Sequence, residues 1–323
     1  MFRKRASADE LKIFFATDLH GSNVCFKKFV NAGKFYGASV LILGGDVTGK
    51  MVVPIARQQD GSFITSFAGK EMRLGNEEEV AAFEQRIADM GFYPAVMSEE
   101  EFQDVRASED GQDRLFRALT ERRLEEWMEY ARDRLAGQEI KCFAAPGNDD
   151  GFFVDDILAA SGVIELLEGR VVELDGLEVL TTGWSNETPW KTERECTESQ
   201  LKERVLGMVE QLTDPAKSVF NIHVPPHKTN LDQCPQLDEE LRPVHSGGNP
   251  VMTSAGSTAV REAIETYQPA LGLHGHIHEG RGVTKIGRTV CVNPGSVYSE
   301  GMLNGSLIRI RDGEVRDVQL TQG

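Results

Sequence analysis

Short apolar runs recur along the chain, each closed by glycine, proline or a polar loop. Lys12 to Ala16 opens the series, and Val40 to Leu43 follows, ended by Gly44 and Gly45. The later runs are Cys142 to Ala144, Val219 to Ile222, Ala270 to Leu273 and Val290 to Val292. Continuous runs of this length predict strands buried on both faces. Between the first two, Phe26, Phe29 and Val30 share one face of a helix predicted over Asn23 to Tyr36, with Ser22 or Asn23 as its cap. Asp175-Gly176 and Asp312-Gly313 sit between strand-like segments and predict tight hairpins. The fold therefore mixes crossover units with antiparallel ribbons.

From Lys50 to Gln138 the pattern changes. Glu, Arg and Gln dominate, and the segment reads as helices. Val80, Phe83, Ile87 and Met90 recur at helical spacing, and Ser98 with Glu101 forms a capping-box pattern. Leu115, Leu119, Trp127, Met128, Ala131 and Leu135 predict the apolar stripe of a long helix. Strand-and-ligand units lie on both sides of this segment. The chain, 1–323, therefore reads as one domain with a mostly helical insertion at about 50–138. That insertion is either a solvated decoration or a cap over the site.

Composition narrows the class. Apolar residues make up 40% and charged residues 27%, which fits a soluble globular chain. No apolar run approaches the ~20 residues that span a bilayer. The basic stretch Met1 to Glu10 is followed only by Ile13 to Ala16, too short for a signal-peptide core. The expected location is the cytoplasm, with no membrane partner. The five cysteines are odd in number and contain no C-x-x-C pair, so neither a zinc ribbon nor a disulfide framework fits. A net charge of −16 argues against a long nucleic-acid groove, and so against a nuclease acting on DNA ends. It leaves a nucleotide-sized ester open, because bound cations supply local positive charge.

Five of the strand-like runs end in a loop that carries metal-ligand chemistry. They supply Asp18 and His20 in Asp-Leu-His, Asp46 after Gly-Gly, and Asn148 in Pro-Gly-Asn-Asp-Asp. They also supply His223 in Asn-Ile-His-Val-Pro-Pro, and His276 and His278 in Gly-His-Ile-His. Each piece alone is a common turn pattern. Loops beyond the carboxyl ends of strands converge in α/β sheets, so all five can meet at one place. Two cations ~3.5–4 Å apart repel and need an anionic bridge, for which Asp46 is placed. Imidazole and carboxylate ligands without thiolate suit Mn, Fe or Zn, with manganese favoured. A hydroxide shared by the two ions is the expected nucleophile.

These motifs resemble the calcineurin-like metallophosphoesterase family, in its order, from Lys12 to about Ser296. Asn293-Pro294-Gly295-Ser296 also resembles a segment common there. The resemblance implies a four-layer αββα sandwich of two mixed sheets. It implies one divalent ion held by Asp18, His20, Asp46 and His278, and another held by Asp46, Asn148, His223 and His276. It implies hydrolysis of a small phosphate ester, a monoester or a diester. One position departs from the family. Asp149 stands where the family usually has a His thought to protonate the leaving oxygen. An ordinary Asp, with a pKa of about 3.9, is a poor proton donor at neutral pH. Family members with that His replaced include phosphodiesterases and non-catalytic scaffolds, so the scaffold is the alternative reading.

Other residues are candidates to compensate. His227, stiffened by Pro225 and Pro226, is either the proton donor or an exposed loop histidine. Asp149 becomes a donor only if burial or Asp150 raises its pKa. His245 reads as an exposed loop residue and His274 as a core or supporting one. Trp184 and Trp190 either stack a base or sugar or pack their loop. Lys191, Arg194 and Lys228 are candidate phosphate contacts. Substrate identity and oligomeric state stay open.

Overall fold

The computed structural model describes residues 10–323, so all but Glu10 of the basic N-terminal stretch lies outside the described residues. The chain opens with β1 (Leu11–Ala16), α1 (Asn23–Tyr36) and β2 (Val40–Leu43). Next come β3 (Val52–Arg57), β4 (Phe63–Phe67), β5 (Lys70–Leu74), α2 (Glu77–Asp89), β6 (Tyr93–Ser98), α3 (Glu99–Arg106) and α4 (Glu109–Leu135). The path returns through β7 (Lys141–Ala144), α5 (Phe153–Ala160) and β8 (Glu165–Leu166). The second half holds β9 (Arg170–Leu174), β10 (Leu177–Thr182), the short pair β11 (Ser185–Asn186) and β12 (Glu195–Cys196), α6 (Glu198–Val209) and β13 (Val219–Ile222). A long excursion carries β14 (Gln233–Pro235), β15 (His245–Ser246), β16 (Asn249–Pro250) and β17 (Met252–Ser254). The chain ends with α7 (Thr258–Tyr267), β18 (Leu271–Leu273), β19 (Gly282–Ile286), β20 (Thr289–Asn293), β21 (Asn304–Arg311) and β22 (Glu314–Gln322).

Two six-stranded mixed sheets result, ordered β22-β21-β1-β2-β7-β8 and β19-β20-β18-β13-β10-β9. In each, the inner strands are parallel and the hairpin partners antiparallel. Both Asp-Gly hairpins form, and Asp175 and Gly176 both take positive φ, as a two-residue turn of this hand requires. Alternate side chains leave opposite faces of a strand. Ile13, Phe15, Val40 and Ile42 therefore meet Val179, Val219, Leu271 and Val292 of the second sheet. Phe14, Leu41 and Leu43 face the other way, toward Phe26 and Phe29 of α1 and Leu124 and Trp127 of α4. Leu180, Phe220 and Ile222 likewise meet Leu201 and Val205 of α6 and Val260 and Ile264 of α7. Burial on both faces is why these strands read as continuous apolar runs.

The expected helices of the insertion are present. Ser98 and Glu101 close the capping box, and Asn76 caps the helix that buries Val80, Phe83 and Ile87. Four strands also stand there, which the reading of that segment as helices does not anticipate. They form a sheet ordered β5-β4-β3-β6, whose Val53, Ile55 and Phe63 pack on α2. The first half of the predicted α4 stripe, Leu115 and Leu119, is only half-buried. The second half is fixed. Phe26 stacks on Trp127 with centroids 4.1 Å apart, and Trp127 Nε1 donates to Asn23 Oδ1 at 2.7 Å. Buried Arg123 donates to the Gly21 carbonyl at 2.5 Å and crosses over the Tyr93 ring. It thereby ties the insertion to the loop that follows His20. Among the described residues, no helix is long and apolar enough to cross a membrane.

Candidate metal centre

The seven ligand candidates lie at or just beyond the carboxyl ends of β1, β2, β7, β13 and β18. Asp18, His20, Asp46 and His276 all take positive φ, between 43° and 64°. A non-glycine residue there costs ~1–3 kcal/mol, so the surrounding loops must hold it. They do so by zipping together. Asp18 N donates to Gly45 O at 2.9 Å, His20 N to Asp46 O at 3.0 Å, and Gly21 N to Val47 O at 2.9 Å. His276 N in turn donates to the Asp18 carboxylate at 3.1 Å.

Three overlapping groups form. Asp18, His20 and His278 make the first, Asp46, His223 and His276 the second, and His20, Asp46 and Asp149 the third. His20 Nε2 lies 3.0 Å from His278 Nε2, and His278 Nε2 lies 3.4 Å from Asp18 Oδ1. Asp46 faces the first two, with Oδ2 3.6 Å from His20 Nε2 and Oδ1 3.4 Å from His223 Nε2. Asn148 joins the second group. Its amide nitrogen donates to Thr192 Oγ1 at 2.8 Å, which turns Oδ1 toward His276 Nδ1 at 2.7 Å.

Ligation needs neutral imidazoles and ionised carboxylates, which His20, His276, Asp18 and Asp46 supply. Burial drives His20 down to about 3 and His276 down to about 4. Burial alone would raise Asp18, but its hydrogen bond to His278 and the nearby imidazoles bring it down to about 2. Asp46 is held well below its ordinary value by His223 and His20 against the effect of burial. His223 runs the other way. Burial lowers it, yet the Asp46 and Asp18 charges outweigh that and push it up to about 9. A pocket this negative takes up a cation, and a proton is the smallest one.

The fit to divalent cations rests on the orphaned atoms. His223 Nδ1 lies 3.1 Å from the Gly44 carbonyl and donates to it, which leaves Nε2 as the atom that takes up a proton or a metal ion. That buried Nε2 has no hydrogen-bond partner and faces Asp46. Carboxylate and imidazole donors without a thiolate suit Mn, Fe or Zn. The five cysteines are free thiols, and none belongs to the cluster.

The remaining candidates separate. Asp149 stands beside the cluster and forms an ion pair with Lys50. Burial and the Asp46 charge raise its carboxyl to about 6, against the pull of Lys50. His227 does not reach the cluster. Its Nδ1 lies 3.6 Å from Asp232 Oδ2, its carbonyl accepts from Arg261, and it lines no part of the cleft over the metals. The two prolines that stiffen its loop hold it away. His274 is a core residue whose Nδ1 donates to Ile222 O at 2.9 Å, and His245 is exposed. Trp184 packs on the second-sheet core under Arg204, whereas Trp190 is exposed in the cleft wall. Buried Arg194 is spent on Asp155, at 2.6 Å, and on the Asp150 carbonyl. Lys191 and Lys228 are exposed and line no part of the cleft.

Sequence reasoning missed three supports. Lys50 reads as one more solvated lysine, and only its place four residues after Asp46 points to the site. Asp150 accepts from the backbone N–H groups of Val47, Thr48 and Gly147, and so locks two ligand loops together. Tyr298, just past Asn-Pro-Gly-Ser, packs its ring 4.7 Å from that of His20.

No family model matches the chain. An uncharacterised protein of Methanocaldococcus jannaschii is 30% identical over 159 residues, which is 48% of this chain and 63% of that protein. The chain thus spans less than two thirds of the curated relative it matches. Among solved structures, TT1561 of Thermus thermophilus is similar over 98% of this chain and 99% of its own, with a TM-score of 0.52 and 15% identity. That likeness speaks to the fold. A structure described as a novel archaeal phosphodiesterase covers 96% of this chain and 100% of its own, at 11% identity, but with a TM-score of 0.35. A score that low carries no argument about activity.

Proposed function

We propose that the chain is a metal-dependent phosphoesterase of the calcineurin-like kind, acting on a small phosphate ester. The observation that carries this reading is the Asp46 carboxylate, with one oxygen facing each of two buried ligand groups. Asp18, His20, Asp46 and His278 would hold one divalent ion. Asp46, Asn148, His223 and His276 would hold the other. Such a pair supplies Lewis acidity toward a phosphoryl oxygen and lowers the pKa of a water, with manganese the favoured metal. The two six-stranded sheets with helices outside them are read as the four-layer sandwich of that family. The insertion is read as part of the same domain.

The protein's own groups complete the site. Lys50 Nζ is held beside the cluster by Asp149 and lines the cleft. Its ammonium offers hydrogen bonds and positive charge to the leaving oxygen of the ester. Asp149 fixes Lys50, and its carboxyl, raised by burial to about 6, is the candidate proton donor. Trp190 and Pro189 also line the cleft.

The test is hydrolysis of p-nitrophenyl phosphate and its bis ester by the manganese-loaded chain. Asp46→Asn and His223→Ala should each lower the rate by at least ~100-fold, the upper range for residues that only support metal ligands. Activity that survives both changes sinks the reading. The second reading, a non-catalytic scaffold, is favoured by Asp149 alone. It predicts a chain that purifies with little metal and hydrolyses neither ester.

A further inference from the structure

Lys50 and Phe116 line the cleft over the metal cluster, and the same two residues line a second cavity of about 450 Å³. This cavity sits within the insertion, between α3, the start of α4 and β3. Met51, Phe102, Val105 and Leu115 give it an apolar wall. Its polar lining residues, Arg106 among them, are exposed. Met51 is 58% exposed, an apolar side chain left uncovered at the point where the cavity joins the loop of Asp46.

The shared wall is built rather than incidental. Phe116 meets the Tyr93 ring edge-on at 5.6 Å. The Tyr93 hydroxyl accepts from Gly49 N at 2.8 Å, and Arg123 lies over the same ring. The shared wall is therefore tied by side chains of the insertion to Gly49, in the loop of Asp46. Lys50 and Phe116 are thus common to the cleft over the ligand cage and to the apolar hollow.

We propose that this hollow takes the apolar body of the alcohol that leaves the ester, while the phosphate stays over the ligand cage. The proposal rests on the phosphoesterase reading and names its substrate class. Favoured esters carry an aromatic or branched apolar group next to the phosphate. The phosphate and its leaving oxygen match the cations and Lys50. Beyond Lys50 the nearest wall is a phenyl ring and aliphatic chains, which desolvate a charged group at a cost but gain from an apolar one. The volume falls in the range of small-molecule sites, ~300–1,000 Å³. Energy from this remote contact is available to orient the ester for attack.

The experiment is calorimetric titration of the full, manganese-loaded chain with methylphosphonate and with naphthylmethylphosphonate, neither of which can be hydrolysed at its P–C bond. The naphthyl compound should bind at least roughly tenfold tighter, the discrimination one or two buried carbons already give in an apolar pocket. Val105→Asp, on α3, should bring the ratio of the two affinities close to one. Leu115→Glu, on α4, should do the same and guards against a fold defect in either variant alone. Val283→Asp, on the exposed edge strand β19, should keep the wild-type ratio. A wild-type ratio near one overturns the proposal, as does a ratio that survives both cavity variants. If methylphosphonate binds and the naphthyl preference is missing, only this proposal fails. If neither phosphonate binds, the phosphoesterase reading fails with it.

Discussion

His20 and His278, 258 positions apart in the chain, bring their Nε2 atoms to 3.0 Å. At most one proton fits between two such atoms. His20, driven down by burial, is neutral and supplies a lone pair. The contact is made by opposite ends of the fold: His20 follows β1 of the first sheet, and His278 follows β18 of the second. Asp18 closes the triangle, and Ser296 Oγ donates to the Asp18 carbonyl at 2.7 Å from the segment after β20. The site is therefore a product of how the two sheets face each other, and its precision depends on groups that do not themselves ligate.

Asp150 is the first such group to test. Its carboxylate accepts from Val47 N at 2.9 Å, Thr48 N at 2.8 Å, Thr48 Oγ1 at 2.6 Å and Gly147 N at 2.8 Å, all buried. Asp150→Ala leaves these donors without a partner, at ~1–3 kcal/mol for each one that stays buried and dry. Metal affinity should fall ~10–100-fold, the usual effect of removing an outer support, though every ligand remains. Metal titration with a competing chelator reads this directly. Wild-type affinity in the variant would mean that the loops hold themselves.

Lys50 and His227 give opposite expectations. Lys50→Met should slow an ester with a poor alkoxide leaving group by ~100-fold, as loss of a positioned charge does, and slow p-nitrophenyl esters far less. His227→Ala should change neither, because His227 lines no part of the cleft. The ratio of kcat values for the two leaving groups is the measurement. A selective loss in the His227 variant would return the proton-donor role to that residue.

The convergence of the seven candidate ligands was legible because each piece follows an apolar run that has to be a strand. Burial of β1, β2, β7, β13 and β18 on both faces leaves no polar alternation to blur them. The insertion sheet was not legible, for a local reason. Val52, Val53 and Ile55 make an apolar run, but Pro54 interrupts it, and proline in an inner strand normally argues against a strand. Here β3 is an inner strand all the same. β5 is Lys-Glu-Met-Arg-Leu and mostly exposed, so charge hides it. His227 misled because four residues separate it from His223 while the chain turns through two buried prolines in between.

Glu168 predicts a pH dependence away from the ligands. Burial raises its carboxyl from 4.5 to about 7, with Gly183 N and Arg194 opposing. In the window between those values the folded chain keeps a proton that the unfolded chain releases. Stability therefore falls as pH rises from 4.5 to about 7, and the loss is complete above that. Glu168→Gln removes this slope and can still accept from Gly183 N. Its advantage over wild type should be small at pH 4.5 and grow to on the order of 2 kcal/mol at pH 7.5, after discounting for partial solvent access. Urea denaturation of the metal-stripped proteins across that range measures it. Parallel curves for the two chains would refute the assignment.

Glycine at 147 is dictated by the neighbouring carboxylate. A Cβ there would collide with Asp46 Oδ1 and the Asp46 backbone nitrogen, and would lie 2.8 Å from Asp46 Cγ. Neither partner is a flexible tip, since Asp46 sits at φ 47° in the zipped loop. Gly147→Ala must therefore displace a carboxylate whose two oxygens face the two ligand groups. Gly207, exposed within α6, has nothing within 4 Å of the same added carbon. Gly207→Ala should stabilise the chain by ~0.5–1 kcal/mol through helix propensity and leave metal content unchanged. Gly147→Ala should lose bound metal, measured by mass spectrometry of the purified protein, together with phosphoesterase activity. Both substitutions add one methyl group and restrict the unfolded chain alike, so chain entropy cannot account for lost metal at position 147. Full metal occupancy in the Gly147 variant would mean that Asp46 has room to move and is not the shared ligand.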